Sequence, residues 1–309
     1  MSNGESFEEK LARKGVSRRD FMKYSGMITA ALGLSPVMVP RMAEALATQR
    51  PPVVYLSFAE CTGCGESLLR TTNPSIEQVL FDLISLDYYE TVQAAAGNQM
   101  EEVLQSTVKK YNGKFICIVD GSIPTKKGYG MIAGKEMIDI AKDIIPKAMA
   151  TICVGTCSSY GGLPAAGPNP GAAKSVQEVT GVKTINIPGC PPNCINIIGT
   201  IAHFLLLGKL PEVDDVGRPL WAFGMTIHDS CPRRSHYEEG NFVQQFGDEG
   251  AQNGWCLFEM GCKGPETHSN CSLVKWNQGV NWPIGAGHPC IGCTEPDFWD
   301  KNTPFYVNK

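Results

Sequence analysis

The chain has 309 residues, with 27 basic and 31 acidic side chains that leave a formal net charge of −4. This balance offers no basic surface of the kind that binds nucleic acid, and the chain has neither internal repeats nor a low-complexity tail. Thirteen cysteines are the unusual feature of the composition. They indicate disulfides in a secreted chain, or thiol sites for metal or catalysis in a chain that folds in the cytosol.

The N-terminal residues predict export of a folded protein. Residues 17–23 read Ser-Arg-Arg-Asp-Phe-Met-Lys and precede a mildly apolar stretch at 24–39. A small-residue pattern at 45–47 provides a cleavage site, so residues 1–47 are predicted to be a twin-arginine signal peptide. Because that route carries proteins already folded in the cytosol, the reduced thiols can bind metal clusters before the chain reaches the periplasm, which is an oxidising compartment.

An uncleaved membrane anchor is the alternative for this segment. Gly26, Gly33 and Pro36 interrupt it, and its apolar run is marginal for crossing a bilayer. No later run is long and apolar enough to span one. We therefore expect no transmembrane anchor in the mature chain.

Residues 48–219 are predicted to form an α/β domain. Short apolar runs rich in β-branched residues have the composition of buried parallel strands, at 53–58, 83–88, 115–119, 152–155 and 184–187. Helices are predicted between and after them, at 76–80, 100–110, 131–149 and 195–207. This alternation predicts a flavodoxin-like, doubly wound parallel sheet that ends near Gly217-Arg218-Pro219.

Residues 220–309 have a different composition. All five tryptophans lie here, with six cysteines, among Gly, Pro and Asn and with little periodicity. A segment this irregular has a thin apolar core, so bound metal would have to supply much of its folding free energy. We predict a smaller, irregular iron–sulfur cluster domain.

Four cysteines follow predicted strands of the first domain. Cys61 and Cys64 follow the first strand, Cys157 the fourth and Cys190 the fifth. Loops at the carboxyl ends of parallel strands meet at one edge of a sheet, so these thiolates are expected to converge on one four-iron cluster. A four-cysteine zinc site is the alternative, but zinc ribbons keep their ligands on local knuckles rather than on separate loops.

His228 is the histidine with the spacing of a ligand. It lies three residues before Cys231, and Cys256 and Cys262 complete a second group of four. An imidazole in place of a thiolate makes a cluster less negative and raises its potential. The other histidines are expected to be structural: His203, His236, His268 and His288.

The third group has three thiolates, Cys271, Cys290 and Cys293. Three cysteines suit a three-iron cluster, in which the corner normally held by a fourth ligand is empty. Of the remaining cysteines, Cys117 and Cys153 lie inside apolar strands and are predicted to pack as small hydrophobes. Cys194 is predicted to pack as well, although it lies four residues from Cys190 and could compete with it.

Six motifs, in order, resemble the small subunit of periplasmic nickel–iron uptake hydrogenases. They are Glu60-Cys61-Thr62-Gly63-Cys64, Gly155-Thr156-Cys157, Pro188-Gly189-Cys190-Pro191-Pro192-Asn193, Cys231-Pro232-Arg233-Arg234, Gly261-Cys262-Lys263-Gly264-Pro265 and His288-Pro289-Cys290-Ile291-Gly292-Cys293-Thr294-Glu295-Pro296. The resemblance implies two [4Fe-4S] clusters and one [3Fe-4S] cluster. Their ligands would be a proximal set (Cys61, Cys64, Cys157, Cys190), a medial set (Cys271, Cys290, Cys293) and a distal set (His228, Cys231, Cys256, Cys262). It also implies that Pro283 faces the vacant corner of the medial cluster.

The resemblance further implies that catalysis and electron transfer are carried out by two different chains. The Ni-Fe centre, where dihydrogen is split, would belong to a large subunit in an obligate heterodimer, and this chain would relay electrons to an external acceptor, expected to be a multihaem cytochrome c. No catalytic residue is then expected here, except that Glu60 is a candidate for proton transfer, with a structural role as its alternative. A soluble periplasmic complex is expected, because the chain stops at Lys309 without a C-terminal membrane helix.

Two other functions stay open at this point. One is the iron–sulfur electron-transfer subunit of another exported redox complex, since the first domain also resembles the cluster-carrying subunit of respiratory complex I. The six later cysteines and His228 argue against it. The other is an exported structural protein held by disulfides or zinc, which the odd number of cysteines disfavours.

Overall fold

The computed structural model describes residues 50–72 and 75–302, together with positions 19, 22–23, 25–26, 29 and 35–40. The predicted export signal and its cleavage site therefore lie largely outside the described residues. Within the described part of the chain, no helix combines the length and the apolar character needed to cross a membrane.

A five-stranded parallel sheet forms the centre of the molecule. Its strands are β1 (Pro52–Ser57), β2 (Ser85–Tyr88), β3 (Ile116–Asp120), β4 (Ala150–Val154) and β5 (Ile185–Ile187). They are arranged in the order β2-β1-β3-β4-β5, and every neighbouring pair is parallel. This is the strand order of flavodoxin-like folds. It confirms the predicted α/β class, and each strand overlaps its predicted range.

Strands β1, β3, β4 and β5 are buried on both faces because helices cover the sheet on each side, whereas the edge strand β2 is partly exposed. Alternate residues along a strand point to opposite faces, so Ile116 and Ile118 join one core while Cys117 and Val119 join the other. Cys117 and Cys153 are fully buried in the second core. Their surroundings agree with the predicted packing role.

Seven α-helices are described in this part of the chain. They are α1 (Gly63–Leu69), α2 (Ile76–Gln78), α3 (Asn98–Lys110), α4 (Met137–Ile144), α5 (Thr156–Tyr160), α6 (Val176–Thr180) and α7 (Cys194–Leu207). A π-helical turn, Val79–Leu83, continues α2. Helix α7 begins at a cap in which Asn193 accepts from the N–H of Ile195, and it ends at the left-handed Gly208.

The helix predicted at 131–149 begins too early and ends too late, because within that range only Met137–Ile144 is α-helical. Met131–Ile132 and Lys135–Glu136 instead pair as an antiparallel hairpin. Its two turn residues, Ala133 and Gly134, have φ angles of 50° and 77°, as a two-residue type I′ turn requires. After α4 the chain tightens into a 3₁₀ turn, Ile145–Lys147, that contains a proline. A strong local turn therefore overrode the helical spacing of the apolar residues.

Beyond Gly217 the described chain forms short helices joined by loops. The α-helices are α8 (Leu220–Phe223), α9 (Arg234–Glu238), α10 (Glu249–Gln252), α11 (Cys271–Val274) and α12 (Phe298–Lys301). The 3₁₀ turns are His228–Ser230, Phe258–Met260 and Gly264–Glu266. A separate small core packs Trp282 and Ile284 against Ile227, Val243 and Leu257. The boundaries 48–219 and 220–309 stay predictions.

Candidate functional site

The proximal set lies at the carboxyl edge of the parallel sheet. Cys61 follows β1, Cys64 lies in the first turn of α1, Cys157 lies in α5 after β4, and Cys190 follows β5. Burial raises the pKa of Cys157 to about 12, and the nearby Cys190 and Cys61 add to the increase. The pKa of Cys64 also lies well above the usual range, because burial, Asp120, Cys157 and Cys190 all raise it. The fold thus brings these four thiols together.

Two glycines let the backbone pass close to these thiols. A Cβ atom at Gly162 would lie 2.5 Å from Sγ of Cys157, and one at Gly155 would overlap Sγ of Cys64. Both glycines also have φ angles, 61° and 92°, that side chains rarely adopt. Larger residues at these two positions would displace the two thiols.

The distal set surrounds a single small cavity. A space of about 20 Å³ is lined by all four of its members, and by Arg233. The ring of Tyr237 meets the imidazole of His228 edge-on, with 4.7 Å between ring centroids. Arg233 donates from Nη1 to the carbonyl of Trp255 at 2.8 Å. Burial raises the pKa of Cys231, and the guanidinium of Arg233 partly offsets that increase.

The medial set also shares one cavity. A space of about 230 Å³ is lined by Cys271, Cys290 and Cys293, with Pro283 in its wall. Burial raises the pKa of Cys290 to about 12, and it raises the pKa of Cys293 far above the usual range. A larger cavity of about 620 Å³ is lined by Cys190 of the proximal set together with Cys271 and Cys293. The two sets therefore face a common space.

A buried arginine ties the two parts of the chain together beside the medial set. Arg218 donates from Nε to Asp214 at 2.7 Å and from Nη1 to Glu295 at 2.8 Å. Glu295 also accepts from the backbone N–H of His268 at 2.6 Å. Glu295 follows Cys293 and His268 precedes Cys271, so this network fixes the spacing of the two medial segments. Sequence reasoning missed it, because no local pattern links Arg218 to a carboxylate so distant along the chain.

Two carboxylates lie next to the proximal set. Burial, Asp120 and Glu90 raise the pKa of Glu60 to about 7. Burial raises the pKa of Asp120 to about 6, although hydrogen bonds from Cys64 and from backbone N–H groups oppose the increase. Among the described residues, Oε2 of Glu60 is buried without a hydrogen-bond partner. Asp120 was not expected from the sequence, in which it follows the strand predicted at 115–119; in the structure it is the last residue of β3.

Cys194 lies apart from the cavities of the three sets. It begins α7 and lines a different cavity, of about 420 Å³, to which no member of the three sets contributes. Within the described ranges, no three His, Cys, Asp or Glu side chains are placed to hold a single metal ion. In an iron–sulfur cluster each thiolate binds its own iron, so the ligands surround the group rather than meet at one atom. The thiols of the distal and medial sets, which line common cavities, fit such a group.

Comparison with known proteins identifies the class to which this fold and this site belong. Residues 223–306 match the C-terminal family of the NiFe/NiFeSe hydrogenase small subunit. Residues 61–204 match the family described as NADH ubiquinone oxidoreductase, 20 Kd subunit. Both matches agree with the motif resemblances, and the class is that of hydrogenase subunits.

Relatives that match along nearly the whole chain specify the family. The periplasmic [NiFe] hydrogenase small subunit 1 of Nitratidesulfovibrio vulgaris is 50% identical over 98% of this chain and 96% of its own length. The periplasmic [NiFe] hydrogenase small subunit of Solidesulfovibrio fructosivorans is 51% identical over 97% and 95%. A [NiFeSe]-hydrogenase structure from Dm. baculatum superposes with a TM-score of 0.79 at 38% identity, covering 85% of this chain and 100% of the other. The chain belongs to the [NiFe] hydrogenase small-subunit family, as its motifs predicted.

Proposed function

We propose that this chain is the electron-relay subunit of a periplasmic [NiFe] hydrogenase that oxidises dihydrogen. The observation that carries the proposal is the gathering of the candidate ligands into three groups. The distal and medial sets each line a cavity of their own, and Cys190 of the proximal set lines a larger cavity together with Cys271 and Cys293 of the medial set. The proximal and distal sets would each hold a [4Fe-4S] cluster and the medial set a [3Fe-4S] cluster. When bound, such clusters accept and pass on electrons one at a time.

The residues of this chain would control how the relay is bound and tuned. Cys64 is buried against the sheet edge, and burial raises the pKa of Cys157 and Cys190 as well, so the thiolate forms of these three residues are stabilised only when a cation replaces their protons. His228 would leave the distal site less negative than an all-cysteine site, and the charge of Arg233 acts in the same direction. Electrons would accordingly be drawn from the sheet edge towards the distal side.

The partner in this proposal is a large subunit that holds the Ni-Fe centre and splits dihydrogen. The relatives are named as small subunits, which supports a heterodimer. Two of them are named periplasmic, and the arginine pair at 18–19 supports export by the twin-arginine route. A multihaem cytochrome c is the proposed acceptor.

A second candidate is a cluster-bearing subunit of another exported redox complex. The match of residues 61–204 to an NADH ubiquinone oxidoreductase subunit favours it for the first part of the chain. The match of residues 223–306 favours hydrogenase for the rest. The presence of nickel in the copurifying partner would distinguish a hydrogenase from this second candidate.

Purification of the complex from the native periplasm tests the proposal. We expect a nickel-containing partner, dihydrogen-dependent dye reduction, and iron and acid-labile sulfide contents that match two four-iron clusters and one three-iron cluster. The oxidised protein should give the paramagnetic resonance signal of a three-iron cluster. A complex with iron and sulfide but without nickel or dihydrogen oxidation would favour the second candidate.

A further inference from the structure

One buried hydroxyl joins segments of the proximal and medial sets. Thr156 is the first residue of α5, directly before Cys157, and its side chain is buried. Its backbone N–H donates to the carbonyl of Gly189 at 3.0 Å. Its hydroxyl accepts from the N–H of Gly189 at 2.9 Å. These two bonds clamp the loop that carries Cys190 to the helix that carries Cys157.

The same hydroxyl also reaches the medial set. It donates its proton to the carbonyl oxygen of Cys293 at 2.5 Å. A threonine hydroxyl has one proton to donate, and it accepts at its lone pairs. The hydroxyl of Thr156 therefore donates to the medial segment at Cys293 and accepts from the proximal segment at Gly189. A substitution that removes the hydroxyl breaks both hydrogen bonds at once.

A direct contact between the two ligand sets lies beside this hydroxyl. Cys190 and Cys293 line one cavity, and the backbone N–H of Cys190 lies near enough to Sγ of Cys293 to oppose the rise in pKa that burial causes in that thiol. Cys190 follows Gly189, whose N–H is held by Thr156. Cys293 is the residue whose carbonyl Thr156 also holds. The hydroxyl thus fixes both partners of the contact.

We propose that Thr156 is a positioning residue that holds Cys190 against Cys293, and that electrons cross from the proximal to the medial site at this contact. The inference rests on the proposed function, because it needs clusters in both sets. In each crossing one electron leaves the proximal site and one arrives at the medial site. Thr156 keeps its proton and is neither oxidised nor reduced.

The contact also has a consequence for the medial potential. Hydrogen bonds to ligand sulfurs are among the factors that set the potential of an iron–sulfur cluster. An N–H near Sγ of Cys293 stabilises added negative charge there and so favours the reduced form. If the loop that carries Cys190 moves away, the medial potential falls and the electron path lengthens.

The test compares four variants in the complete heterodimer. Thr156→Val keeps the shape of the side chain without the hydroxyl, Thr156→Ala removes the hydroxyl without a branched side chain, and Thr156→Ser keeps the hydroxyl. Ser159→Ala is the matched control, because it removes another buried hydroxyl of α5, one that donates within the helix to the carbonyl of Gly155 at 2.8 Å. Iron content, the midpoint potential of the three-iron signal, and the rate at which dihydrogen removes that signal in rapid-freeze samples are measured for each.

We expect Thr156→Ser and Ser159→Ala to behave as the native protein. Thr156→Val and Thr156→Ala should keep their iron, show a lower medial potential and lose the three-iron signal more slowly, while isotope exchange at the partner's Ni-Fe centre is unchanged. Native potential and rate in the Val and Ala variants would overturn the inference. So would loss of the three-iron cluster from both, because Thr156 would then act in assembly. Absence of a three-iron signal from the native protein would instead contradict the proposed function.

Discussion

Single residues determine which group each site can hold, and Pro283 is the clearest case. It lines the medial cavity together with the three thiols of that set. A proline side chain has no atom that can bind iron, so a fourth iron at this position would have no protein ligand.

Replacement of Pro283 by cysteine should therefore convert the medial cluster. Pro283→Cys supplies a fourth thiolate, so the variant should gain one iron per chain and lose the three-iron paramagnetic signal. Its medial potential should fall, because the added thiolate charge stabilises the oxidised state. Pro283→Ala, which adds no donor, is the control and should keep the signal. Retention of the signal in a folded Pro283→Cys protein would show that this residue does not face the cluster.

His228 is the residue through which electrons are proposed to leave the chain. His228→Ala should slow reduction of large acceptors by more than about 10-fold. Altering a residue that only hydrogen-bonds to a metal ligand already lowers activity by about 10- to 100-fold, and His228 is itself a proposed ligand. Isotope exchange between dihydrogen and water, which needs only the large subunit's site, should be unaffected. His203→Ala serves as the control, because His203 lines none of the cavities of the three sets. Equal loss of both activities in His228→Ala would contradict the distal assignment.

At the scale of elements, the medial segments depend on an ion pair rather than on a strand or a long helix. The Arg218 side chain is 6% exposed, and its partners Asp214 and Glu295 are about 20% exposed. Removal of one member of a buried pair leaves its partner charged and unpaired, which typically costs 3–5 kcal/mol.

Arg218→Ala should accordingly lower the free energy of unfolding by about 3 kcal/mol, the lower end of that range because the carboxylates retain some contact with water. Arg234→Ala is the matched control. Its pair with Glu238 is about half exposed on each side, and such pairs contribute less than about 1 kcal/mol. Denaturant unfolding followed by circular dichroism measures both. A cost for Arg218→Ala no larger than the control would mean that the network does not hold the two regions together.

At the scale of the whole molecule, the two parts of the chain differ in how much apolar surface they bury. Among the described residues, the two cores on either side of the sheet contain 20 and 15 buried residues, whereas the core of the C-terminal region contains seven. The C-terminal region therefore needs another source of folding free energy, and bound clusters are that source in the proposed function.

Removal of the clusters should destabilise this region selectively. In hydrogen-exchange mass spectrometry, peptides from 223–302 should exchange much faster in the apoprotein than in the loaded protein, because their structure would open locally. Peptides covering β1 and β3, at the centre of the sheet, serve as the internal control and should stay protected in both. Equal protection of 223–302 in the two forms would mean that the small core suffices without metal.

Much of the fold followed from local patterns. The five strands were predicted correctly because buried parallel strands are short apolar runs rich in β-branched residues. The short helices α1, α5 and α6 were not, because fewer than two turns carry little periodic signal, and the hairpin turn at Ala133 and Gly134 hid the true start of α4. The ligand candidates were also visible, since cysteine spacing and the motifs around it are written along the chain.

What only the tertiary structure decided are the contacts between residues that no local sequence pattern links. Thr156 meets Cys293, Arg218 meets Glu295, and Tyr237 packs on His228. None of these pairs shares a helix or strand period, so no spacing rule brings its members together. The sequence by itself determined the fold class, the family and the donors. Folding determined which donors face one another and which hydrogen bonds hold them, because those depend on how separate segments pack in space.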